Sequence, residues 1–517
     1  MRLNYKRTIF VGFAFFLISM FWTAYDAIIP LILTNKFGMS QFWSGVIMAA
    51  DNILAVFLLP VFGALSDKCR SKRGRRTPFI TIGATLAAVL LLTLSFADKA
   101  QMNNIKDISA IDNPTALEII YDEQKDAKLK TPEDQDFVLS EKFSKEEFTA
   151  IRSTYTDPET GKEEKNSDYV NYVTPAREAS AAKRTADSPV ALITFIALLL
   201  GVLLAMAIFR SPAVALMPDV TIKPLRSKGN AIINLMGTAG GILALVLGIV
   251  FATSAVKNSM MSYTGFFGVV AGIMLLALAI FLFKVREPLW VKQMQEDSLR
   301  YGIEDKEDTA TEQRKLSSKE LRSLIFILLS VALWYFGYNA VTSKYSVYAT
   351  NILQKNFNTT MLMAQGAAIV AYIPSGLIAS KIGRKKTIMA GVVMLCTAFT
   401  VAAFLRASSP DWLMNAMFIL AGIAWATINV NSFPMVVEMC SGGDVGKYTG
   451  FYYTASMAAQ TATPMLSGFL MEKQGMTILF PYAATFVGLA FVTMAFVMHG
   501  DSKAEAKVGL EALDVGD

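Results

Sequence analysis

The chain has 517 residues, of which 53% are hydrophobic and only 17% charged, and its mean hydropathy is +0.42. That excludes an ordinary soluble domain, in which about a quarter of residues carry charge. The net charge of +6 does not point to nucleic acid, because the cations sit in short loops between apolar runs.

The apolar residues gather in runs of about 20, the length that crosses a hydrocarbon core of about 30 Å as helix. Backbone groups in lipid must be satisfied within the segment, so each run reads as a spanning helix. The runs predict twelve spans: 8–33, 43–64, 79–97, 189–217, 229–251, 262–284, 322–350, 360–380, 387–405, 411–437, 448–470 and 477–498. The first is too long for the apolar part of a signal peptide and lacks a small-residue cleavage site, so it is kept as helix 1. The expected fold is an all-α membrane protein of twelve transmembrane helices in two six-helix bundles. Residues 1–97 carry helices 1–3 and 188–284 carry helices 4–6. The second bundle occupies 322–498, and 499–517 form a tail.

Two polar segments interrupt the spans. Residues 98–187 are an acid-rich insert between helices 3 and 4, in which "SKEEFTAIR" favours a short helix and "TDPETGKEEKNSD" an exposed or disordered tip. It reads as a cap or spacer rather than a binding domain. Residues 285–321 are a charged linker between the halves.

Lys and Arg in short loops set the orientation. Arg2, Lys6, Arg7, the 68–76 loop, Lys223, Arg226, Lys228, the linker and Lys381–Lys386 share one side, which is therefore cytoplasmic. Both termini lie there, and the insert lies outside. The three cysteines, Cys69, Cys396 and Cys440, fit neither a zinc site nor a disulfide framework.

The halves echo each other. "PVFGALSDKCRSKRGRRTPF" (60–79) follows helix 2, and "PSGLIASKIGRKKT" (374–387) follows helix 8, six helices later. "SPAVALMPDV" (211–220) ends helix 4 as "FPMVVEMCSG" (433–442) ends helix 10. Parallel repeats imply two bundles about a central cavity, with a site near the midplane.

Gly63, Asp67, Gly74, Arg75 and Arg76, placed after helix 2, resemble the cytoplasmic signature of the major facilitator superfamily. The loop is longer than the usual pattern, and with Pro78 and Phe79 closing it, it resembles the sucrose-transporter and related glycoside–cation symporter branch. "SPAVALMPDVTIKPLRSKGNAIINLMG" (211–237) resembles that branch too. Two positions depart from it: Val214 stands where plant sucrose transporters carry an Arg, with Arg210 one turn upstream, and Ser380 replaces the signature Asp in the second half. The resemblance implies a cytoplasmic gate built on Gly63, Asp67, Gly74, Arg75 and Arg76, in which Asp67 and Arg75 hold that side shut in one state and release it in another. Arg384 is its second-half counterpart, and Glu438 is expected to make a salt bridge between the halves.

Inside the spans, Asp26, Asp51 and Arg210 are the deep ionisable residues. Each costs roughly 2.5–3.5 kcal/mol at mid-membrane, so each is a functional candidate. The reading is that Asp26 and Asp51 carry protons and Arg210 is their partner or a substrate ligand; a static ion pair that fixes helix packing stays open. Sodium coupling is not expected, because Ala55 and Leu59 follow Asp51 where sodium-using relatives carry a second carboxylate. Sugars take aromatic faces together with amide and hydroxyl hydrogen bonds. The binding candidates are Trp334, Tyr338, Asn339, Gln365, Trp425, Asn429, Tyr452, Gln460 and Asn234. Ordinary helix–helix contacts are the competing reading for each.

Together these imply a monomeric proton-coupled symporter of a sugar or glycoside. It would lie in a bacterial-type inner membrane, use protons as its coupling ion, and need neither cofactor nor metal. Two alternatives stay open: a drug or metabolite exporter, against which helix 5 lacks a Pro, and a sensor that uses the insert. No nucleotide loop, metal cluster or nucleophile elbow points to an enzyme.

Overall fold

The computed structural model describes residues 3–156, 163–222, 225–301, 316–437, 439 and 445–500. Twelve long helices run back and forth between two ends: α1 (Tyr5–Leu31), α2 (Gln41–Asp67), α3 (Thr77–Asn104), then α8 (Val190–Val220), α9 (Arg226–Val250) and α10 (Thr264–Lys284). The second six are α12 (Ser318–Tyr348), α13 (Phe357–Ile382), α14 (Arg384–Ala402), α15 (Asp411–Val437), α16 (Val445–Gln474) and α17 (Leu479–Ala495). Among the described residues, eleven of these are long and apolar enough to cross a membrane. The twelfth, α16, has the length but is diluted by Tyr452, Tyr453, Ser456, Gln460 and Thr463.

The packing repeats with a shift of six helices. In the first half α1 packs on α9 and α10, α3 on α8 and α10, and α2 on α8. In the second half α12 packs on α16 and α17, α14 on α15 and α17, and α13 on α15. The seam between halves obeys the same rule: α2 lies on α16 as α13 lies on α9, and α1 meets its own counterpart α12. Even a detail repeats, since α1 and α12 each end in a turn of π-helix, Ile32–Lys36 and Ala349–Leu353. Strands are absent from the membrane helices because no water is available there to satisfy a sheet edge.

The insert lies at the end opposite the described N-terminus. The sequence starts it at 98, but α3 continues unbroken to Asn104, carrying Asp98 as a fully buried residue. The insert holds α4 (Pro114–Gln124), the two-residue strands β1 (Leu129–Lys130) and β2 (Asp136–Phe137), α5 (Leu139–Lys142), α6 (Lys145–Ala150), strands β3 (Thr154–Thr156) and β4 (Glu163–Lys165), and α7 (Thr174–Asp187). The short helix expected from "SKEEFTAIR" is α6, started by a capping box in which Ser144 and Glu147 bond each other's backbone N–H. Part of the expected tip pairs as β3 with β4; residues 157–162 lie outside the described residues. The insert has its own apolar core of Ile108, Leu117, Ile120, Phe148, Tyr169 and Val173, which also takes in Val256 and Met260 from the α9–α10 loop.

The charged linker is partly helical. In α11 (Glu287–Arg300), Trp290 is buried beneath the Arg7 guanidinium, 4.9 Å from the ring centroid, and Arg7 donates to Gln293 at 2.6 Å.

Candidate functional site

A cavity of about 180 Å³ lies between the halves. The first half lines it with Trp22 and Asp26 of α1, Met48, Asp51 and Asn52 of α2, and Arg210 of α8. The second half lines it with Asn339, Thr342 and Ser343 of α12 and Gln460 and Pro464 of α16. The charges all enter from the first half and the hydroxyls from the second, while amides come from both. A stripe three and four residues apart, such as Trp22–Asp26 or Asn339–Ser343, reaches one cavity because it forms one face of a helix.

The three deep ionisable residues therefore share one chamber. Asp26 stands in the field of Asp51, and Asp51 in that of Arg210. The static ion pair left open by the sequence is not what the chamber holds: among the described residues neither carboxylate is ion-paired to Arg210. Instead the Arg210 guanidinium sits 5.8 Å from the Trp22 ring centroid, a cation–π distance. Asp51 accepts from Asn52 Nδ2 at 2.9 Å. The Trp22 indole N–H, the Tyr25 hydroxyl and Asn339 Nδ2 are buried without a hydrogen-bond partner. Buried polar atoms of this kind are costly unless a ligand or water completes them.

The sequence-derived sugar set divides. Asn339 and Gln460 line the cavity. Trp334 is fully buried and is absent from the cavity lining. Tyr338 stacks flat on Trp425, with centroids 3.5 Å apart and planes 2° from parallel, and Tyr335 meets the same Trp edge-on at 5.3 Å. Tyr452 is buried and shares a hydrogen bond with Ser432 at 3.0 Å. These rings are partners of one another inside one bundle. Gln365 sits on the seam, its Oε1 3.3 Å from where a Cβ on Gly241 would stand. Asn429 is half-buried on α15 and Asn234 half-buried on α9.

At the insert end the chamber is shut. Lys344, fully buried on α12, donates from Nζ to Gln41 O on α2 at 2.7 Å, and Asn358 Nδ2 donates to Thr253 at 3.0 Å across the other seam. Gly45 and Gly468 let α2 and α16 touch backbone to backbone; a Cβ on Gly45 would run into Pro464 O, and one on Gly468 into Gln41 O. Near the same end Lys36, in the π-turn of α1, is fully buried and donates to both Asp98 oxygens at 2.6 and 2.7 Å and to Met261 O at 2.8 Å. Its ammonium lies 4.5 Å from the Tyr263 ring centroid. Two loop-end charges thus form a buried pair that residue type and position did not reveal.

The signature loop is a network. The expected gate residues Asp67 and Arg75 are joined through Asp219 and Arg76: Arg75 binds Asp219 of α8 through Nη2 at 2.6 Å and Nε at 3.1 Å. Arg76 bridges Asp219, at 2.9 Å, to Asp67 and the Ser66 hydroxyl. The Asp219 carboxylate bond holds the Arg75 guanidinium more firmly protonated than usual. Glu287, the first residue of α11, is 1% exposed and caps α3. It accepts from the backbone N–H of Arg75 at 2.8 Å, Arg76 at 2.9 Å and Thr77 at 2.8 Å, and from the Thr77 hydroxyl at 2.7 Å. These are orphan donors of a helix N-terminus, where a carboxylate is favoured twice over. Gly74 has φ +108°, and a Cβ there would overlap that carboxylate, so only glycine fits. Gly63 packs against Ser211 of α8. Arg384 opens α14 as the second-half counterpart; Glu438 lies outside the described residues.

A repeated six-helix architecture with this loop after its second helix invites comparison with known families. The family model described as Major Facilitator Superfamily matches residues 352–513, and the one described as MFS/sugar transport protein matches residues 10–102. The chain has the major facilitator fold. The inward open xylose transporter XylE from E. coli has the same fold at 14% identity, with 98% of both chains covered and a TM-score of 0.58. A mutant form of the nucleoside transporter NupG has it at 13% identity over 95% of this chain and 100% of that one, with a TM-score of 0.55. In sequence, the chain is 26% identical over 142 residues to the MFS-type transporter ppzB of Metarhizium rileyi (strain RCEF 4871), 28% of each chain. It is 34% identical over 63 residues to the sucrose transport protein SUC4 of Arabidopsis thaliana, 12% of each. The matched stretch spans less than a third of the length of these curated relatives. The resemblance to the major facilitator superfamily and its sugar-transporter members is thereby borne out.

Proposed function

We propose that this major facilitator chain is a secondary transporter that carries a small polar solute of the sugar class by alternating access, drawing on a proton gradient. The observation that carries this reading is the chamber between the halves, where two carboxylates and an Arg face amides and hydroxyls. The sugar class is supported by the match of residues 10–102 to a sugar-transport family model and by the hydrogen-bonding lining. With the termini assigned to the cytoplasm by the positive-inside rule, the shut insert end makes this the inward-facing state.

Proton coupling rests on Asp26 and Asp51. Neither is committed to an ion pair with Arg210, so each can take or lose a proton without breaking one. A solute that bonds Arg210 or Asp51 alters the field at Asp26, and any such coupling is reciprocal. Movement of the halves does the same, because the chamber's charges all come from one half while its hydroxyls and two of its amides come from the other.

The test is proton flux in liposomes holding the purified protein and an internal pH dye, with a panel of mono- and disaccharides outside. Internal acidification with one sugar class, lost in Asp26→Asn, supports symport. Tracer exchange without proton movement overturns proton coupling and leaves facilitated transport. No flux of either kind with any sugar, but retained ligand binding, overturns transport and points to sensing.

A further inference from the structure

The insert is fastened to one half and reaches across to the other. On the first half, Gln101 of α3 donates from Nε2 both to Lys36 O and to the Thr185 hydroxyl of α7, each at 2.8 Å. Val256 and Met260 of the α9–α10 loop are buried in the insert's own core. From this base the β1–β2 turn projects toward the second half. The turn is preformed: Thr131 N–H donates to Gln135 O and Asp134 N–H to Thr131 O, both at 2.9 Å, and Lys130 pairs with Asp134 at 2.6 Å.

Its tip engages two loops of the second half. Met476 N–H donates to Pro132 O at 2.9 Å. Arg406 pairs with Glu133 at 3.2 Å. Gly475, at φ +83°, lies so close that a Cβ there would stand 2.6 Å from the Asp134 Cβ. Each bond is weak alone: the ion pair is some 40% exposed on both sides, a setting in which such pairs contribute little. Lys165 of β4, held by Ser254 O at 3.3 Å, feels the charge of Lys355 on the second half, a smaller effect than its own burial. Lys355 is in turn paired with Asp411 at 2.6 Å.

We propose that the 131–135 turn is a latch that holds the two halves together at the insert end and must let go each time the chamber opens there. The proposal rests on the alternating-access reading above. One backbone bond at 132/476, one exposed ion pair at 133/406 and the close approach at 134/475 make a closure that is specific in register yet easily broken. The insert then sets how often the chamber opens outward, acting as a brake on the cycle; a mere spacer would not touch the second half.

Pro132→Cys and Met476→Cys, in full-length protein whose three native cysteines are replaced, test this. Their backbones hydrogen-bond, so a disulfide is within reach. In liposomes, oxidation should stop solute-driven proton uptake and reduction restore it, each single variant being unaffected. In parallel, a Ser343→Cys probe in the chamber is reacted with a membrane-impermeant thiol reagent from the insert side. Oxidation of the latch pair should cut that reaction by about tenfold or more, and Glu133→Ala should speed it by about threefold to tenfold, the shift expected from losing a contact of about 1 kcal/mol. Transport or probe labelling that continues at the unlocked rate with the disulfide formed overturns the latch, as does failure of the pair to crosslink. If no solute is ever carried, the labelling arm still reads the latch, and only the transport reading falls.

Discussion

Replacing Glu287 by Ala should be among the most damaging single changes in the chain, although the residue is neither in the chamber nor in a span. Its carboxylate is 1% exposed and takes three backbone N–H groups and a hydroxyl at 2.7–2.9 Å. Hydrogen bonds to a charged group contribute about 1.5–3 kcal/mol each, and capping losses run about 1–2 kcal/mol. The bonds share one acceptor group, so the terms do not add in full. The expected loss is about 3–5 kcal/mol, the range seen when one partner of a buried charged cluster is removed. Glu287→Gln should recover less than half of it, because the amide NH₂ replaces one acceptor oxygen and turns donors onto donors. Gly74→Ala should lose about 2–4 kcal/mol from its positive φ and the displaced carboxylate. Combined with Glu287→Ala, it should cost less than the sum, since the overlap vanishes with the side chain. Denaturant titration in mixed micelles, followed by circular dichroism, measures all four. Glu287→Ala within about 1 kcal/mol of the parent, or strict additivity with Gly74→Ala, would falsify the capping account.

Three further outcomes follow from other sites. Asp26→Asn should abolish proton movement in the liposome assay while leaving the purified protein's unfolding temperature near the parent's; a variant that still acidifies the lumen removes Asp26 from the coupling. Asp98→Asn leaves the Lys36 ammonium buried without its counter-charge and should cost about 3–5 kcal/mol, whereas Lys36→Met with Asp98→Leu should regain most of it; equal losses in both would show that the pair contributes net stability. Burial pushes Glu178 of α7 up to about 7 from an ordinary 4.5. The folded state then holds a proton that the unfolded state has lost, so stability falls as pH rises from about 4.5 to about 7, by about 3 kcal/mol in all. Thermal unfolding from pH 5 to 8 should show this decline, and Glu178→Gln should flatten it; an unchanged pH slope in the variant refutes it.

Helix count, length and repeat were readable because lipid imposes them locally. A segment must be apolar for about 20 residues and satisfy its own backbone, and both are properties of contiguous sequence. The shared chamber of Asp26, Asp51 and Arg210 was also anticipated, since ionisable residues deep in apolar runs need a polar interior to face. The aromatic set was read less well. In a helix apolar on nearly every side, periodicity does not give rotation about the axis, so Tyr338 and Trp425 looked equally suited to a sugar and to each other.

The sequence by itself determined the twelve-helix, two-half plan, the placement of the insert and the signature loop. Tertiary structure decided the partners: Asp219 for Arg75, Glu287 for the N-terminus of α3, Asp98 for Lys36, and the 131–135 turn for the loops at 406 and 475. These pairs join residues far apart in the chain, and the choice among many equally charged candidates rests on which helices pack side by side.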